Sequence, residues 1–420
     1  MNEFPRLADV EQEFSRPRLS SVEEEIKESF STKNLGLPNL KGKKIAVTAG
    51  SRGIANLSSI VGSIVDRLKQ EGAEPFIVPA MGSHGGGTAE GQAKILAGYG
   101  VTSENLGVPV KSSLETVCLG KTEEGISVFV DKNAYDSDGI VLINRIKPHT
   151  DFQGTYESGL LKMITIGLGK IDGANSFHSW VMTYPHHQLL QSIGHVVFET
   201  GKILFGVAIL ENAYHETAKI ELIPGPKIPE REKELLPEAK KLMPALPIEQ
   251  ADILIIDQIG KDISGAGMDP NITGRRFRVN SVWQESPEIT RIIVLDLTPG
   301  SGGNAVGVGL ADFCSPKLVK KMNRRATYLN ATTSRNTVPA HIPLYFDSDQ
   351  ETIGRALASL GGSTKPQEAR LLRIRDTLSL SKLQVSEALI PELEKHPRVS
   401  KISETAEMQF DSDGELPLLV

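Results

Sequence analysis

Short apolar segments that alternate with longer segments of helical periodicity constrain the fold of this chain most. From Lys43 onwards, a strand pattern (KKIAVTAG) precedes a helical segment over 57–72, a second strand (PFIVPAM), a Gly-rich turn and another helix. A further apolar strand, GIVLIN, spans 139–144. Strands that alternate with helices in this way are joined by right-handed crossovers, which build a parallel sheet. The sequence therefore predicts an α/β fold.

A second α/β pattern follows a segment rich in proline and charge. This segment, 224–247, is typical of a linker that contains a helix. The apolar strands ADILIIDQIG and RIIVLDLT come after it, each next to a Gly-rich loop. A chain of 420 residues is too long for one ordinary core. We therefore predict two α/β domains with mainly parallel sheets, over residues 1–245 and 246–420, and an active-site cleft between them.

Charge and cysteine content exclude several classes of protein. A net charge of -6 gives no reason to expect nucleic acid or an anionic membrane as a partner. Two cysteines, Cys118 and Cys314, are too few for a disulfide framework or a thiolate cluster. The acidic first residues do not resemble a secretory signal, and no apolar run is long enough to span a bilayer. These observations predict a cytoplasmic protein.

Polar segments follow three of the predicted strands: SRG at 51–53, SHGGG at 83–87 and KPH at 147–149. Loops at the carboxyl ends of strands gather in one crevice of an open α/β sheet, so these segments could converge.

The first segment, 51–53, also resembles a dinucleotide-binding turn, but Ala55 replaces its last glycine and no acidic residue closes the second strand. Nicotinamide chemistry is therefore not favoured. Arg52 remains a candidate functional residue, because it places a positive charge just beyond the end of a strand. An arginine at such a position more often forms a surface ion pair.

Two histidines in these loops are candidate proton-transfer groups. His84 lies among small residues that leave its imidazole accessible, and imidazole titrates near neutral pH. Pro148 precedes His149 and fixes the local backbone, which aims the ring. Each also has an ordinary interpretation, as a histidine in a flexible turn.

A lysine and further histidines are candidates for binding a cofactor or metal. Lys162 lies in an apolar segment, where burial would lower the pKa of the amine and make it a nucleophile, unless the segment ends a helix in solvent. His178 could ligate a metal through one ring nitrogen. His186 and His187 could do the same, although an exposed histidine pair is the simpler interpretation.

These segments, in this order, resemble the lactate racemase family, whose members use a nickel-pincer nucleotide cofactor. The resemblance covers most of the chain and is strongest from about Lys43 to Trp180. Its most specific feature is the interval between Lys162 and His178, which matches the family's interval between its cofactor-bearing lysine and its nickel-ligating histidine. The strand-turn arginine, the Gly-x-His turn and the Pro-His element of the family also have counterparts here.

The resemblance implies a racemase or epimerase that inverts a secondary-alcohol carbon of a 2-hydroxy acid or related hydroxy compound. The reaction would proceed by proton-coupled hydride transfer to the nucleotide. Lys162 would carry the pyridinium nucleotide through a thioamide bond and His178 would ligate nickel, with Ser158 and Gly159 beside the cofactor. The implied partners are a small-molecule substrate and cofactor-maturation proteins.

The resemblance also assigns the groups that would act on the substrate. His84 and His149 would be the two acid/base groups, on opposed sides of the reacting carbon. Arg52 would bind an anion, either substrate or phosphate. In the second domain, the loop KDISGAGMDPNITGR would form the substrate-selecting wall, with Lys261 and Asn271 as contacts.

Departures from the family's pattern bear on the substrate. Ala49 stands where the family often has an acidic residue upstream of the arginine, and Gly85 stands where lactate-specific members tend to have another arginine. The segment between His149 and Lys162 is also longer. These differences favour a hydroxy compound that is larger than lactate or differently charged. Two alternatives stay open: an oxidoreductase that uses a free nucleotide, and a non-catalytic carrier of the cofactor.

Overall fold

The computed structural model describes residues 4–32, 35–278, 281–362 and 365–419. Within these ranges the β-strands are, in chain order, β1 (Leu7–Gln12), β2 (Lys44–Ala49), β3 (Glu74–Pro79), β4 (Thr116–Lys121), β5 (Ser127–Asp131), β6 (Gly139–Arg145), β7 (Ile203–Glu211), β8 (Thr217–Pro224), β9 (Gln250–Ile259), β10 (Arg275–Arg278), β11 (Ser281–Gln284), β12 (Glu288–Leu297), β13 (Phe313–Cys314), β14 (Leu371–Ile374), β15 (Lys382–Ser386) and β16 (Val399–Ile402).

The α-helices are, in chain order, α1 (Val22–Thr32), α2 (Leu57–Gln70), α3 (Ala89–Gly98), α4 (Ser103–Leu106), α5 (Lys132–Tyr135), α6 (Leu160–Lys162), α7 (Lys170–Trp180), α8 (His186–Phe198), α9 (Ile228–Leu242), α10 (Pro270–Thr273), α11 (Pro316–Lys321), α12 (Arg324–Thr333), α13 (Asp349–Ala358) and α14 (Ile390–Leu393). A π-helical turn, Met163–Gly167, follows α6 directly. None of the described helices combines the length and the apolar character needed to cross a membrane.

The chain divides into two compact units, one over Ser15–Met243 and the other formed by the residues up to Phe14 together with those from Pro244 onwards. Both units combine helices with sheets, and strand pairing is parallel through most of the larger sheets, which confirms the predicted α/β class. The division differs from the expected one at the start of the chain. β1 belongs with the second unit because it pairs with β15 and β16 there.

The N-terminal unit is built on a five-stranded sheet in the order β3-β2-β6-β7-β8. β3, β2, β6 and β7 are mutually parallel, and β8 runs antiparallel to β7. Apolar residues cover both faces of this sheet, as is usual for parallel strands. Because β3, β2 and β6 are neighbours, the polar turns that follow them lie at the same edge of the sheet.

The helix predicted within the linker segment 224–247 is α9, and it packs on the core of the N-terminal unit. In α9, Ile228, Leu235, Leu236 and Ala239 are buried in the core that also contains Leu160. These residues recur at helical spacing, so one face of the helix is apolar although its overall composition is polar. The helix was predicted, but the high content of proline and charge concealed its apolar face.

The C-terminal unit contains a seven-stranded sheet in the order β13-β12-β9-β14-β15-β1-β16. β13, β12, β9 and β14 pair in parallel, whereas β15, β1 and β16 pair antiparallel. Ile253, Ile255, Ile293 and Leu295 form the centre of one of its apolar clusters. The predicted strands ADILIIDQIG and RIIVLDLT are β9 and β12.

A buried ion pair fixes the start of α7 in the N-terminal unit. Lys170 and Asp131 have fully buried side chains, with 3.2 Å between Nζ and Oδ2. The Lys170 amine also donates to the carbonyl of Pro79 and to Gln92. Gln92 in turn donates to the carbonyl of Gly82, at 2.8 Å. The pair thus supports the turn that contains the SHGGG segment.

Lys170→Met should lower the free energy of unfolding by about 3–5 kcal/mol, because it leaves the Asp131 carboxylate buried without its partner. The double change Lys170→Met/Asp131→Leu should lower the free energy of unfolding by less than the single change does, since it leaves no buried charge without a partner. Urea unfolding measures both. Lys132→Met is the control, because Lys132 is half-exposed and 3.8 Å from Glu115. A loss for Lys170→Met no larger than that of the control would contradict the expectation.

Candidate active site in the N-terminal unit

Lys162 ends α6, the short helix that starts just after Gly159. The backbone amides of Leu160 and Leu161 donate to Oε2 of Glu232, at 2.8 and 3.0 Å. The Lys162 amine lies 2.5 Å from Nε2 of His149. The structure therefore brings together two residues that the sequence singled out separately.

Burial lowers the pKa of Lys162 to about 7. The negative charge of Asp151 opposes this shift, while the positive charges of Arg52 and Lys147 add to it. An amine with such a pKa is neutral in about half of the molecules at neutral pH, and the neutral form is the nucleophile. Lys162 is thus suited to covalent chemistry.

His149 is held on both its backbone and its ring. Its backbone amide donates to Oε2 of Glu157 at 2.6 Å, and the buried Glu157 also pairs with Lys240 of α9 at 2.7 Å. The amide of Asp151 donates to Nδ1 of the ring at 3.0 Å. A ring nitrogen that accepts a hydrogen bond carries no proton, so the neutral imidazole has its hydrogen on Nε2. That N–H faces the amine of Lys162 and can donate to its lone pair.

A stack of rings connects His149 to the second half of the site. Phe152 stacks between His149, at 4.1 Å between ring centroids, and His186, at 4.2 Å. Phe177 lies 5.8 Å from His186 and meets the ring of His178 edge-on at 5.6 Å. The candidate metal ligand His178 therefore belongs to the same cluster of side chains as His149 and Lys162.

His186 is a neutral member of this stack. Burial lowers its pKa to about 4, and the charges of His178, Lys162 and His187 act in the same direction. His186 and His187 are both partly buried, so the interpretation as an exposed pair was wrong. The packing of His186 against Phe152 and Phe177 gives it a structural role.

His84 and Arg52 lie in the two turns after β3 and β2. The Ser51 hydroxyl is hydrogen-bonded to Nδ1 of His84, and Tyr99 donates to the carbonyl of Ser51 at 3.0 Å. Both His84 and Arg52 are exposed. The charge of Arg52 influences the pKa of Lys162, which places the guanidinium within electrostatic reach of the amine.

The arginine turn is tied to the neighbouring strands through Glu211 at the end of β7. The amide of Ala55 donates to Oε1 of Glu211 at 2.7 Å, and Arg145 forms an ion pair with the other oxygen. The turn and the end of β6 therefore share one carboxylate.

Glycines let both turns pack closely on the segment after Lys162. A Cβ on Gly50 would lie 3.2 Å from Cε of Met163, and a Cβ on Gly82 would lie 3.2 Å from Cγ2 of Ile166. The small residues thus have a packing function in addition to leaving the site open. They bring the turns after β2 and β3 onto the π-helical turn that follows the lysine.

Gly85 cannot carry a side chain in this arrangement. Its φ is +70°, and a Cβ would lie 2.5 Å from the carbonyl carbon of Gly91. A Cβ on Gly91 would in turn overlap the carbonyl oxygen of Gly85. The start of α3 therefore leaves no room for a side chain at position 85.

The two remaining candidates, Lys261 and Asn271, belong to the C-terminal unit. The Lys261 amine donates to the carbonyl of Gly265 at 2.5 Å, within its own loop. Asn271 donates from its backbone and side chain to Oδ1 of Asp269 at the start of α10, and Arg276 donates to its side-chain oxygen. Their contact with substrate stays a prediction.

The part of the chain that the structure describes contains no group of three or more His, Cys, Asp or Glu side chains arranged to hold a metal ion. A cavity of about 440 Å³ in the C-terminal unit contains none of the candidate residues; it is lined by Gln250, Ala251, Asp252, Glu288, Thr290 and Arg370.

Several side chains that build the site were missed from the sequence. They share the property of contacting the candidates from distant parts of the chain or from neighbouring turns: Ser51, Phe152, Glu157, Glu211 and Glu232. Ser51 lies inside the polar segment 51–53, and Phe152 and Glu157 lie between His149 and Lys162. Glu211 and Glu232 are single charged residues with no local pattern.

The lowered pKa of Lys162 predicts a distinctive pH profile for its acetylation. The rate with acetic anhydride should level off above about pH 8, because a lysine of low pKa is already neutral there. Lys365, whose side chain is 76% exposed, is the internal reference for an exposed amine. Peptide mass spectrometry reports both sites. Parallel profiles for the two lysines would contradict the lowered pKa of Lys162.

The hydrogen bond from Asp151 predicts the tautomer of His149. In protein labelled with ¹⁵N-histidine at pH 8, the His149 signals should show a protonated Nε2 and an unprotonated Nδ1. The signal is assigned by its loss in His149→Ala. A proton on Nδ1 is the result that the geometry does not allow.

Residues 10–189, which include the lysine and histidine cluster, match the family described as lactate racemase N-terminal domain. A similar solved structure is the lactate racemase apoprotein from Thermoanaerobacterium thermosaccharolyticum, with a TM-score of 0.53 and 14% identity, over 89% of this chain and 99% of that chain. At this identity, the likeness shows a shared fold.

The sequence has no match among curated proteins. The match of residues 10–189 to the lactate racemase N-terminal domain nevertheless confirms the family resemblance predicted from the sequence.

Proposed function

We propose that this protein is a racemase or epimerase that inverts a secondary-alcohol carbon of a 2-hydroxy acid or related hydroxy compound. The reaction would use proton-coupled hydride transfer to a nickel-pincer nucleotide attached to Lys162. The observation that carries the proposal is a lysine amine of pKa about 7, placed 2.5 Å from an imidazole inside a lactate racemase N-terminal domain. A small-molecule substrate, cofactor-maturation proteins and a cytoplasmic location complete the proposal.

The donor set of the site fits such a cofactor. Lys162 would hold it through an amide-type linkage, which requires the neutral amine, and His178 would ligate its nickel. Ser158 and Gly159 would lie beside it. If the organic cofactor supplies most of the nickel ligands, the protein needs to add only one imidazole. A cluster of three ligand residues is then unnecessary. When bound, the group supplies a hydride acceptor.

His84 and His149 would handle the hydroxyl proton, one on each side of the reacting carbon. The Ser51 hydroxyl beside Nδ1 of His84 can either donate or accept, so Nε2 of His84 is able to present a lone pair and take up a proton. His149 presents an N–H and can accept a proton at Nε2 only after it gives up the hydrogen bond from Asp151. When the Lys162 amine is covalently linked to the cofactor, its lone pair no longer accepts a hydrogen bond from Nε2–H of His149. The loss of this acceptor would favour the other tautomer of His149.

Substrate recognition would fall to Arg52 and to the loop of the C-terminal unit. The exposed guanidinium of Arg52 is suited to pair with a carboxylate. The absence of a side chain at Gly85, and of an acid at Ala49, leaves the pocket with fewer charges than in lactate-specific members. This supports a hydroxy compound larger than lactate or of different charge, with Lys261 and Asn271 as proposed contacts.

The experiment uses protein co-expressed with the cofactor-maturation proteins and a panel of enantiopure 2-hydroxy acids. Chiral chromatography follows inversion, and a deuterium label on the carbinol carbon should return to that carbon if a hydride is transferred and handed back. His84→Ala and His149→Ala should each lower turnover by about 10²–10⁴, the usual contribution of acid/base catalysis. Lys162→Ala should abolish turnover.

His195→Ala is the matched control, because His195 lies on the exposed side of α8 beside Glu199. It should leave turnover unchanged. Full activity of both His84→Ala and His149→Ala, or loss of the deuterium label to solvent during inversion, would contradict the proposal.

A further inference from the structure

Helix α9 places a carboxyl group against the turn that carries Lys162. Glu232 is 1% exposed, and its Oε2 accepts hydrogen bonds from the amides of Leu160 and Leu161. These amides precede the lysine by one and two residues. Any displacement of Glu232 therefore acts on the backbone from which the Lys162 side chain extends.

The fit between Glu232 and this turn is unusually close. A Cβ on Gly159 would overlap Oε1 of Glu232, so only glycine lets the chain approach the carboxyl this closely. Oε1 itself is buried and finds no hydrogen-bond partner among the residues that the structure describes. Burial raises the pKa of Glu232 to about 7. A buried carboxyl with one unsatisfied oxygen is costly, and an apolar side chain of similar size would avoid that cost.

The same helix also supports the partner of Lys162. Lys240, about two turns further along α9, pairs with Glu157 at 2.7 Å. Glu157 accepts the hydrogen bond from the backbone amide of His149 at 2.6 Å. One helix thus holds the amine-bearing turn through Glu232 and the imidazole-bearing loop through Lys240.

We propose that Glu232 is a positioning residue for the Lys162 amine. Its buried carboxyl holds the turn before the lysine and thereby sets the 2.5 Å contact between the amine and His149. The functional consequence rests on the proposed function, in which this amine receives the cofactor. Glu232 does not contact the reacting atoms; it acts through the backbone.

The test labels the apoprotein with limiting acetic anhydride at pH 7.5 and measures the ratio of acetylation at Lys162 to that at Lys365 by peptide mass spectrometry. Glu232→Met keeps the size of the side chain and removes the acceptor. It should lower the ratio at least tenfold, because an amine released to solvent regains its ordinary pKa and each unit of pKa is a factor of ten in neutral amine. Glu232→Gln retains an oxygen for both amides and should stay within about threefold of the wild-type ratio.

Two further variants keep the test decisive if Glu232→Met folds poorly. Gly159→Ala leaves the carboxyl in place and pushes a methyl group against it, so this variant should also lower the ratio. Glu238→Met is the matched control on α9, since Glu238 is partly exposed and pairs with Lys219 at 2.7 Å; it should label like the wild type. Hydrogen exchange of the amides at 160–162 should be faster in Glu232→Met and Gly159→Ala and unchanged in the control.

Wild-type labelling of Lys162 in both folded Glu232→Met and folded Gly159→Ala would overturn the inference. A fall in Glu232→Gln as large as that in Glu232→Met would also overturn it, because the role assigned to Glu232 is to accept hydrogen bonds. The two proposals fail separately, since labelling requires no cofactor. If Lys162 is labelled as expected but never carries the nucleotide, only the proposed function is contradicted. If Glu232→Met is loaded with the nucleotide as well as the wild type is, only the positioning role is contradicted.

Discussion

The contact between the Lys162 amine and Nε2 of His149 is the interaction on which the rest of the site depends. An ammonium ion is costly in the interior of a protein, so burial favours the neutral amine. A neutral amine accepts the hydrogen that the neutral imidazole carries on Nε2, and the amide of Asp151 selects that tautomer. Charge, tautomer and position are therefore set together. Changing one of them would change the other two.

The fold supplies the means to hold this contact. The sheet order places the turns after β3, β2 and β6 at one edge, and glycines let two of these turns pack on the segment that follows the lysine. Buried carboxylates then fix the backbone: Glu232 holds the turn before Lys162 and Glu157 holds the loop of His149. The site is thus built from rigid elements, and some of its charged groups position the backbone whereas others are candidates for the chemistry.

Sequence reasoning was most successful where the signal is local. The helix predicted over 57–72 is α2 (Leu57–Gln70), and the strand predicted over 139–144 is β6 (Gly139–Arg145). Both have a regular apolar pattern. Lys162 and the histidines stood out because charged or titratable groups in apolar or Gly-rich surroundings have few structural uses.

The supporting residues could not be found in this way, because their partners are far away in the sequence. Glu232 lies 72 residues from the amide of Leu160 and Lys240 lies 83 residues from Glu157. In the sequence these are two charged residues in a Pro-rich, polar segment, which led to the prediction of a helix-containing linker. Their function becomes evident only when α9 packs on the core. The pairing of β1 with the C-terminal sheet was hidden for the same reason.

The proposed attachment of a nickel-bearing nucleotide to Lys162 is central to the function. Intact-mass measurement, peptide mapping and metal analysis of protein co-expressed with the cofactor-maturation proteins test it most directly. We expect a nucleotide-sized adduct on Lys162 with bound nickel, and retention of the adduct with reduced nickel in His178→Ala. An unmodified Lys162 without nickel, in a host where the same maturation proteins load the Thermoanaerobacterium thermosaccharolyticum lactate racemase, would contradict it.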